Sequence, residues 1–180
     1  LKIVDLNIIP YGNAIRNKEN NLIQCQHGEN ECLANLNEAC INKHLAFDKL
    51  SNLKLINCLE VNIKTNHRLF DQSFIQKCGD ELNIEPQYLQ NIQECANSQE
   101  GVDQYLKMAE LTERLSPSNE YVPWIVVDGV HDEQFEEQVI QNMVQFVCQR
   151  YDGDINVEAC HQFKQQKYNS FLSLQLKGKK

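Results

Sequence analysis

Residues 25–40 read CQHGENECLANLNEAC, which places three cysteines and a histidine within sixteen residues. The intervals from Cys25 to Cys32 and from Cys32 to Cys40 are wider than the Cys-x-x-Cys knuckle of a zinc ribbon or a thioredoxin-type redox pair. They suit a bend followed by a helix. Gly28 permits a backbone excursion, and Glu29 and Glu31 put acids where a helix begins. Cys32 and Cys40 then stand about two turns apart, toward one side of that helix. The helix is expected over Asn30–Leu45, with Leu33, Leu36, Cys40 and Ile41 as its apolar stripe.

Upstream, Lys2–Ile9 is rich in β-branched and aliphatic residues, as in a buried strand ended by Pro10-Tyr11-Gly12-Asn13. Asn13–Asn21 reads as a polar loop, and Leu22–Gln26 as a short strand returning beside the first. Downstream the text stays helical. One helix is expected over Phe47–Val61 and a second around Leu69–Cys78, capped at its C-terminus by Gly79. A third opens near Pro86 and runs to Ala96, and a fourth covers Gly101–Leu115. The pattern then changes. Pro123–Val127 is strand-like, Asp128-Gly129 is a hairpin turn, and Gln134–Arg150 is a helix with Phe135, Val139, Met143, Phe146 and Val147 on one face. Strand, helical insertion, strand, turn and terminal helix make an α/β layer architecture.

The chain has 180 residues and a net charge of −8, enough length for one domain with an insertion and a real core. That charge argues against a nucleic-acid partner, because phosphate binding needs concentrated Lys and Arg. No run of eighteen apolar residues offers a transmembrane segment. The opening LKIVDLNII shows no signal-peptide pattern, so a mature, processed or trimmed chain is expected. Eight cysteines stand at 25, 32, 40, 58, 78, 95, 148 and 160. A disulfide framework in an oxidising compartment is favoured over a metal cluster of Cys25, His27, Cys32 and Cys40, since zinc prefers tight paired knuckles. Connectivity does not follow from the spacing, although Cys148 with Cys160 is the easiest local pair. Cys58, Cys78 and Cys95 fall one per helix, where bridges steady a thin helical core. The chain holds no Asn-x-Ser/Thr sequon, which tilts the expected compartment from lysosome toward secretion.

Cys25-Gln26-His27-Gly28, two residues, Glu31-Cys32, two residues, Asn35, four residues and Cys40 resembles in full the signature of the GILT family, the gamma-interferon-inducible lysosomal thiol reductases. Pro10–Ala14 resembles the family's segment upstream of the signature, and Tyr121-Val122-Pro123-Trp124 the one downstream. The resemblance runs from near Leu1 to about Cys160. It implies a thioredoxin-like fold with a helical insertion at about 30–115, in a domain covering 1–160. It also implies disulfide chemistry without metal or organic cofactor, and a Cys-x-x-Cys upstream of the segment matched by Leu1–Ala14. The 180 residues hold no Cys-x-x-Cys at any position. In the thioredoxin superfamily that pair sits at a helix start, where the dipole and free N–H groups lower the thiol pKa. Val122-Pro123 matches the superfamily's cis-proline loop, which faces those cysteines. Cis is favoured here over a trans proline opening a strand.

No other residue replaces the pair. Cys25 with His27 resembles a thiol–imidazole couple but lacks an orienting third group. His44, His67, His131 and His161 are scattered and read as surface histidines. Cys32 with Cys40 as a slow redox pair runs against the resistance of structural bonds to reduction. The stretch 161–180 carries five lysines and no acid, interleaved with Phe163, Tyr168, Phe171, Leu172, Leu174 and Leu176. A basic C-terminal tail that is solvated, frayed or packed on the acidic body is favoured over an anchor for an anionic or lipid surface. The expectation is a secreted, non-catalytic GILT-like protein that binds a protein or cell-surface ligand. The alternative is a thiol reductase, secreted or lysosomal, whose cysteine pair lies upstream.

Overall fold

The computed structural model describes residues 3–153, 156–161 and 163. Two compact units divide the chain, Leu6–Pro123 and Leu1–Asp5 with Trp124–Lys180. The stretch 164–180, most of the basic tail, lies outside the described residues.

The first unit opens with a small antiparallel hairpin, β1 (Ile15–Arg16) against β2 (Ile23–Gln24), with Ile15 opposite Gln24. Five helices follow: α1 (Glu29–His44), α2 (Lys49–Thr65), α3 (Ser73–Glu81), α4 (Pro86–Ala96) and α5 (Gln99–Glu113). Local chemistry sets their starts. Asp48 caps α2 by accepting from the Leu50 and Ser51 amides, both at 3.1 Å, and Pro86 opens α4.

Their core is aliphatic. Ile41, Leu45, Leu55, Leu59, Ile75, Leu89 and Ile92 are buried around Cys40, Cys78 and Cys95. Cys40–Cys95 ties α1 to α4 and Cys58–Cys78 ties α2 to α3. A second cluster joins Tyr11, Cys25, Ala39, Tyr105, Met108 and Ala109, so α1 carries both clusters on different faces.

The second unit holds the hairpin β3 (Val126–Val127) and β4 (Val130–His131), then α6 (Glu133–Arg150) and a 3-10 turn at Glu158–Cys160. Asp128 (φ 51°) and Gly129 (φ 83°) supply the two left-handed residues that a two-residue hairpin turn demands. Asn142 breaks α6 with φ −161° and ψ 88°, and its side chain accepts the Gln145 amide at 2.9 Å, restarting the helix as an internal cap. Cys148–Cys160 closes this unit beside Phe163.

The protein is helix-rich and mixed, with two small hairpins and four disulfides. Several expectations are corrected. Lys2–Ile9 forms no strand over its described residues; Asn42 Nδ2 holds the Ile8 carbonyl at 2.8 Å instead, because β propensity without a neighbouring strand edge secures nothing. β2 pairs with β1 inside the stretch read as a loop, not with the N-terminal segment. Gly79 does not end α3, which continues to Glu81; a Cβ there would lie 2.3 Å from Leu89 Cδ1. Helix contact, and not a turn, requires that glycine. Leu33 stands 49% exposed and so leaves the stripe assigned to α1, whose buried face runs through Ala34, Cys40 and Ile41.

Candidate functional site

Gly28 takes φ +91°, a conformation natural to glycine, and so reverses the chain immediately before α1. Gly28 has no side chain to cap the helix, and Glu31 reaches back instead. Its Oε2 accepts the His27 backbone N–H at 2.6 Å and the His27 Nδ1–H at 3.0 Å. This resembles a capping box shifted one residue upstream. The turn brings Cys25 to Cys32, and the two are bonded with Cα atoms 5.6 Å apart.

Behind that bridge stands Tyr105, contributed by α5 across 80 residues of sequence, with its hydroxyl 3.1 Å from Cys25 Sγ. A bridged sulfur has no proton, so the phenol donates. Asn35 Nδ2 donates to the same phenol oxygen at 3.3 Å, which leaves the phenol proton for the sulfur. Burial, opposed by the Asn35 hydrogen bond, pushes Tyr105 up to about 12, so it stays a donor at any physiological pH. Tyr11 meets Tyr105 edge-on at 5.9 Å, and burial raises its pKa also. Arg16 clamps Glu113 of α5 with two bonds of 3.0 and 2.7 Å, fixing the hairpin to the helix that carries Tyr105.

A second wall joins this corner. Asn119 Nδ2 donates to the Gly12 carbonyl at 3.3 Å and to Asn13 Oδ1 at 3.1 Å, and Asn13 Nδ2 donates to Gln26 Oε1 at 3.2 Å. A Cβ on Gly12 would find Glu31 Oε1 at 3.7 Å and Val122 Cγ1 at 3.9 Å. The segments around Gly12, Gln26–Glu31 and Val122 therefore converge, although the sequence separates them widely. The Val122–Pro123 peptide is cis, as is Ser116–Pro117, and Val122 is 56% exposed. The converging residues form a rim of amides and one carboxylate, half-buried at Asn13, Glu31 and Asn119 and exposed at Gln26 and Val122.

The remaining site residues fall as follows. Cys25, Cys32 and Cys40 are bonded as Cys25–Cys32 and Cys40–Cys95, so Cys32 and Cys40 are not joined to each other, and the sulfurs of Cys25, Cys32 and Cys40 are all engaged in bridges. Asn35 faces Tyr105, whereas Cys40 belongs to the aliphatic core. His131 is not a surface residue: its side chain is 7% exposed, stacked on Trp124 at 3.5 Å, with Nδ1 3.0 Å from the Ile125 carbonyl. His44 is half-buried, 3.1 Å from Glu100, whereas His67 and His161 are exposed. His44, Cys95 and Glu100 converge like a metal triad but do not fit an ion, because Cys95 is bridged and Lys43 holds the same Glu100 oxygen at 2.6 Å. Tyr105 had no signal in the sequence, since nothing local marks a tyrosine in a helix as the partner of a distant sulfur. No described helix is long and apolar enough to cross a membrane.

The described residues thus build a helix-rich frame whose eight cysteines are all paired, with one bridge, Cys25–Cys32, backed by a tyrosine. Residues 1–82 match the family model of gamma interferon inducible lysosomal thiol reductase (GILT). A goldfish (Carassius auratus) gamma-interferon-inducible lysosomal thiol reductase is 28% identical over 174 residues, covering 94% of this chain and 64% of that protein. The mouse (Mus musculus) protein of the same name is 31% identical over 165 residues, 89% of this chain and 60% of its own. An Arabidopsis thaliana gamma-interferon-responsive lysosomal thiol protein is 31% identical over 151 residues, 84% of this chain and 58% of its own. The chain belongs to the GILT family. It spans about three fifths of the length of these relatives.

Proposed function

We propose that these 180 residues form a GILT-family binding protein on a thioredoxin-like scaffold, with a helical insertion at about 30–115 in a domain of 1–160, and that the polypeptide does not itself reduce protein disulfides. One observation carries this reading: all eight cysteines are bonded to one another, and none is free. Reduction of a protein disulfide needs an attacking thiolate and a resolving partner, and neither is at hand. What the surface does offer is the rim of Asn13, Gln26, Asn119 and Val122 beside the cis-proline. Its amides suit the backbone of an extended protein segment, and its small apolar element suits a side chain. The ligand class is a protein or cell-surface partner, and the compartment is extracellular, where four disulfides persist. If the partner presents an anionic surface, the five lysines of residues 161–180 are the segment that would meet it.

The test is an insulin-reduction assay on the purified chain. The expected result is no turnover above the background of the added thiol; turnover above it overturns the reading. Deleting 164–180 is expected to weaken adsorption to anionic vesicles, and unchanged adsorption removes the tail from this account.

A second reading has one supporting observation: the relatives are named thiol reductases, and this chain spans only three fifths of their length. On that reading a Cys-x-x-Cys elsewhere in the whole protein attacks the substrate, and Val122-Pro123 forms the facing wall in a secreted or lysosomal reductase. Intact mass of the native protein, with its sequence upstream of Leu1, separates the two.

A further inference from the structure

The four bridges are not chemically equivalent. Cys40–Cys95 is fully buried at both ends, and Cys148–Cys160 is 4% and 1% exposed. An external thiolate cannot line up with either S–S bond while the protein is folded. Two bridges have one half-buried end, Cys58 of Cys58–Cys78 and Cys32 of Cys25–Cys32. At Cys58 the Glu81 carboxylate lies 3.9 Å from the sulfur and repels an approaching thiolate. Its leaving sulfur, Cys78, is 0% exposed among aliphatic side chains, where a thiolate is poorly solvated. Asn62 Nδ2 lies 3.4 Å from Cys78 Sγ, but the same amide already serves the Cys58 carbonyl at 2.8 Å.

Cys25–Cys32 differs on each count. Cys32 lies in the first turn of α1, where the helix dipole favours an arriving anion. The nearby Glu31 carboxylate is engaged by the His27 N–H and ring. The leaving sulfur, Cys25, already receives the Tyr105 hydroxyl at 3.1 Å, and Asn35 polarises that phenol from behind. Tyr11, 3% exposed in the same cluster, has a hydroxyl with no partner among the described residues. That is a second donor left over in a cluster whose bridged sulfurs accept only weakly.

We propose that Cys25–Cys32 is a thiol-exchange site at which a small neutral dithiol attacks Cys32 and Cys25 departs as a thiolate held by the Tyr105 hydroxyl. One thiolate of the reductant bonds to Cys32 Sγ, the Cys25–Cys32 bond breaks, and its electron pair goes to Cys25. The second thiol of the reductant, once deprotonated, attacks its own sulfur in the mixed disulfide. Cys32 leaves as a thiolate, and the reductant closes to a cyclic disulfide. Two electrons reach the protein, and the two protons shed by the reductant end on Cys25 and Cys32. Cys25 is 6% exposed, and the exchange is a modification of this protein by a small thiol, distinct from turnover of a protein substrate. It releases the loop 26–28 from its covalent tie to α1 and so loosens the Gln26 side of the rim. The site rests on the geometry of the four bridges and not on the binding reading.

The test treats the folded chain with dithiothreitol for short times, alkylates it, and maps the modified cysteines by mass spectrometry. Cys25 and Cys32 are expected to label together, about tenfold ahead of Cys58 and Cys78. The monothiol cysteamine is expected to be trapped on Cys32. Tyr105→Phe is expected to slow the reduction of Cys25–Cys32 about tenfold relative to Cys58–Cys78 in the same molecules. If Tyr105→Phe unfolds the protein, all four bridges label at once. Asn35→Ala then keeps the phenol in place and is expected to lower the same ratio about threefold. Earlier labelling of Cys58–Cys78, cysteamine on Cys25, or a ratio unmoved by both substitutions overturns the proposal. Insulin turnover by the chain would overturn the non-catalytic reading without touching these outcomes.

Discussion

Helix α1 has two neighbourhoods on different faces, and they use cysteine in different ways. On one, Cys40 and Cys95 lie among Ile41, Leu55, Leu89 and Ile92, with no hydrogen bond to either sulfur among the described residues. On the other, Cys25 lies among Tyr11, Tyr105 and Met108, in contact with a phenol that Asn35 orients. The first bridge closes 55 residues of sequence and the second closes seven. Loop entropy alone gives the long bridge about 4 kcal/mol and the short one about 2 kcal/mol. A bridge that contributes less and is solvated more is better suited to chemistry than to stability, and the same helix holds one of each.

The largest test of this contrast removes the long bridge. Cys40→Ala with Cys95→Ala is expected to cost about 4 kcal/mol, a fall in Tm of about 12 °C by calorimetry. A loss no greater than that of the short bridge would erase the distinction. Next comes the aliphatic packing: Leu89→Ala is expected to cost about 3 kcal/mol in urea unfolding. Cys25→Ala with Cys32→Ala should cost about 2 kcal/mol while leaving the helical circular dichroism unchanged. Asn142→Ala should cost about 1 kcal/mol, since it removes the internal cap of α6 and touches neither neighbourhood.

The smallest effect is a pH slope. Glu38 of α1 is 5% exposed, and burial first, then the hydrogen bond and charge of Glu60, push its carboxyl well above the usual carboxylate range. A raised folded pKa means that the native state keeps a proton the unfolded chain releases. Its contribution is therefore full below the unfolded carboxylate pKa and is lost as pH rises through the folded value. Stability should fall from acidic toward neutral pH by this term, and Glu38→Gln should flatten that slope in unfolding curves taken across the range. A slope unchanged by the substitution would mean that Glu38 carries no proton in the fold.

The helices and the second hairpin were legible because their causes are local. Pro86 at a first turn, Asp128-Gly129 between short apolar runs and the acids of Glu29–Glu31 each act within a few residues. The signature fixed the bend at Gly28 for the same reason. Of the bridges, the local pair Cys148–Cys160 was legible and the three others were not. Cys40 meets Cys95 only because α4 folds back on α1, and the nearer pairing of Cys32 with Cys40 would have looked equally natural. Tyr105 and the burial of His131 were missed because each depends on a partner from another element. Lys2–Ile9 misled in the opposite way, since strand-like composition secures a strand only when another edge lies beside it.

The glycine inside α3 has a consequence for sequence change in this protein. Its backbone is ordinary helix, so by conformation alone alanine would be welcome there and even favourable. Leu89 forbids it, because its two methyls sit 2.3 and 2.4 Å from where the added carbon would go. A saturation library at position 79 should return glycine alone, unless a smaller residue arises at position 89 in the same clone. Two positions ten residues apart would then drift only as a pair.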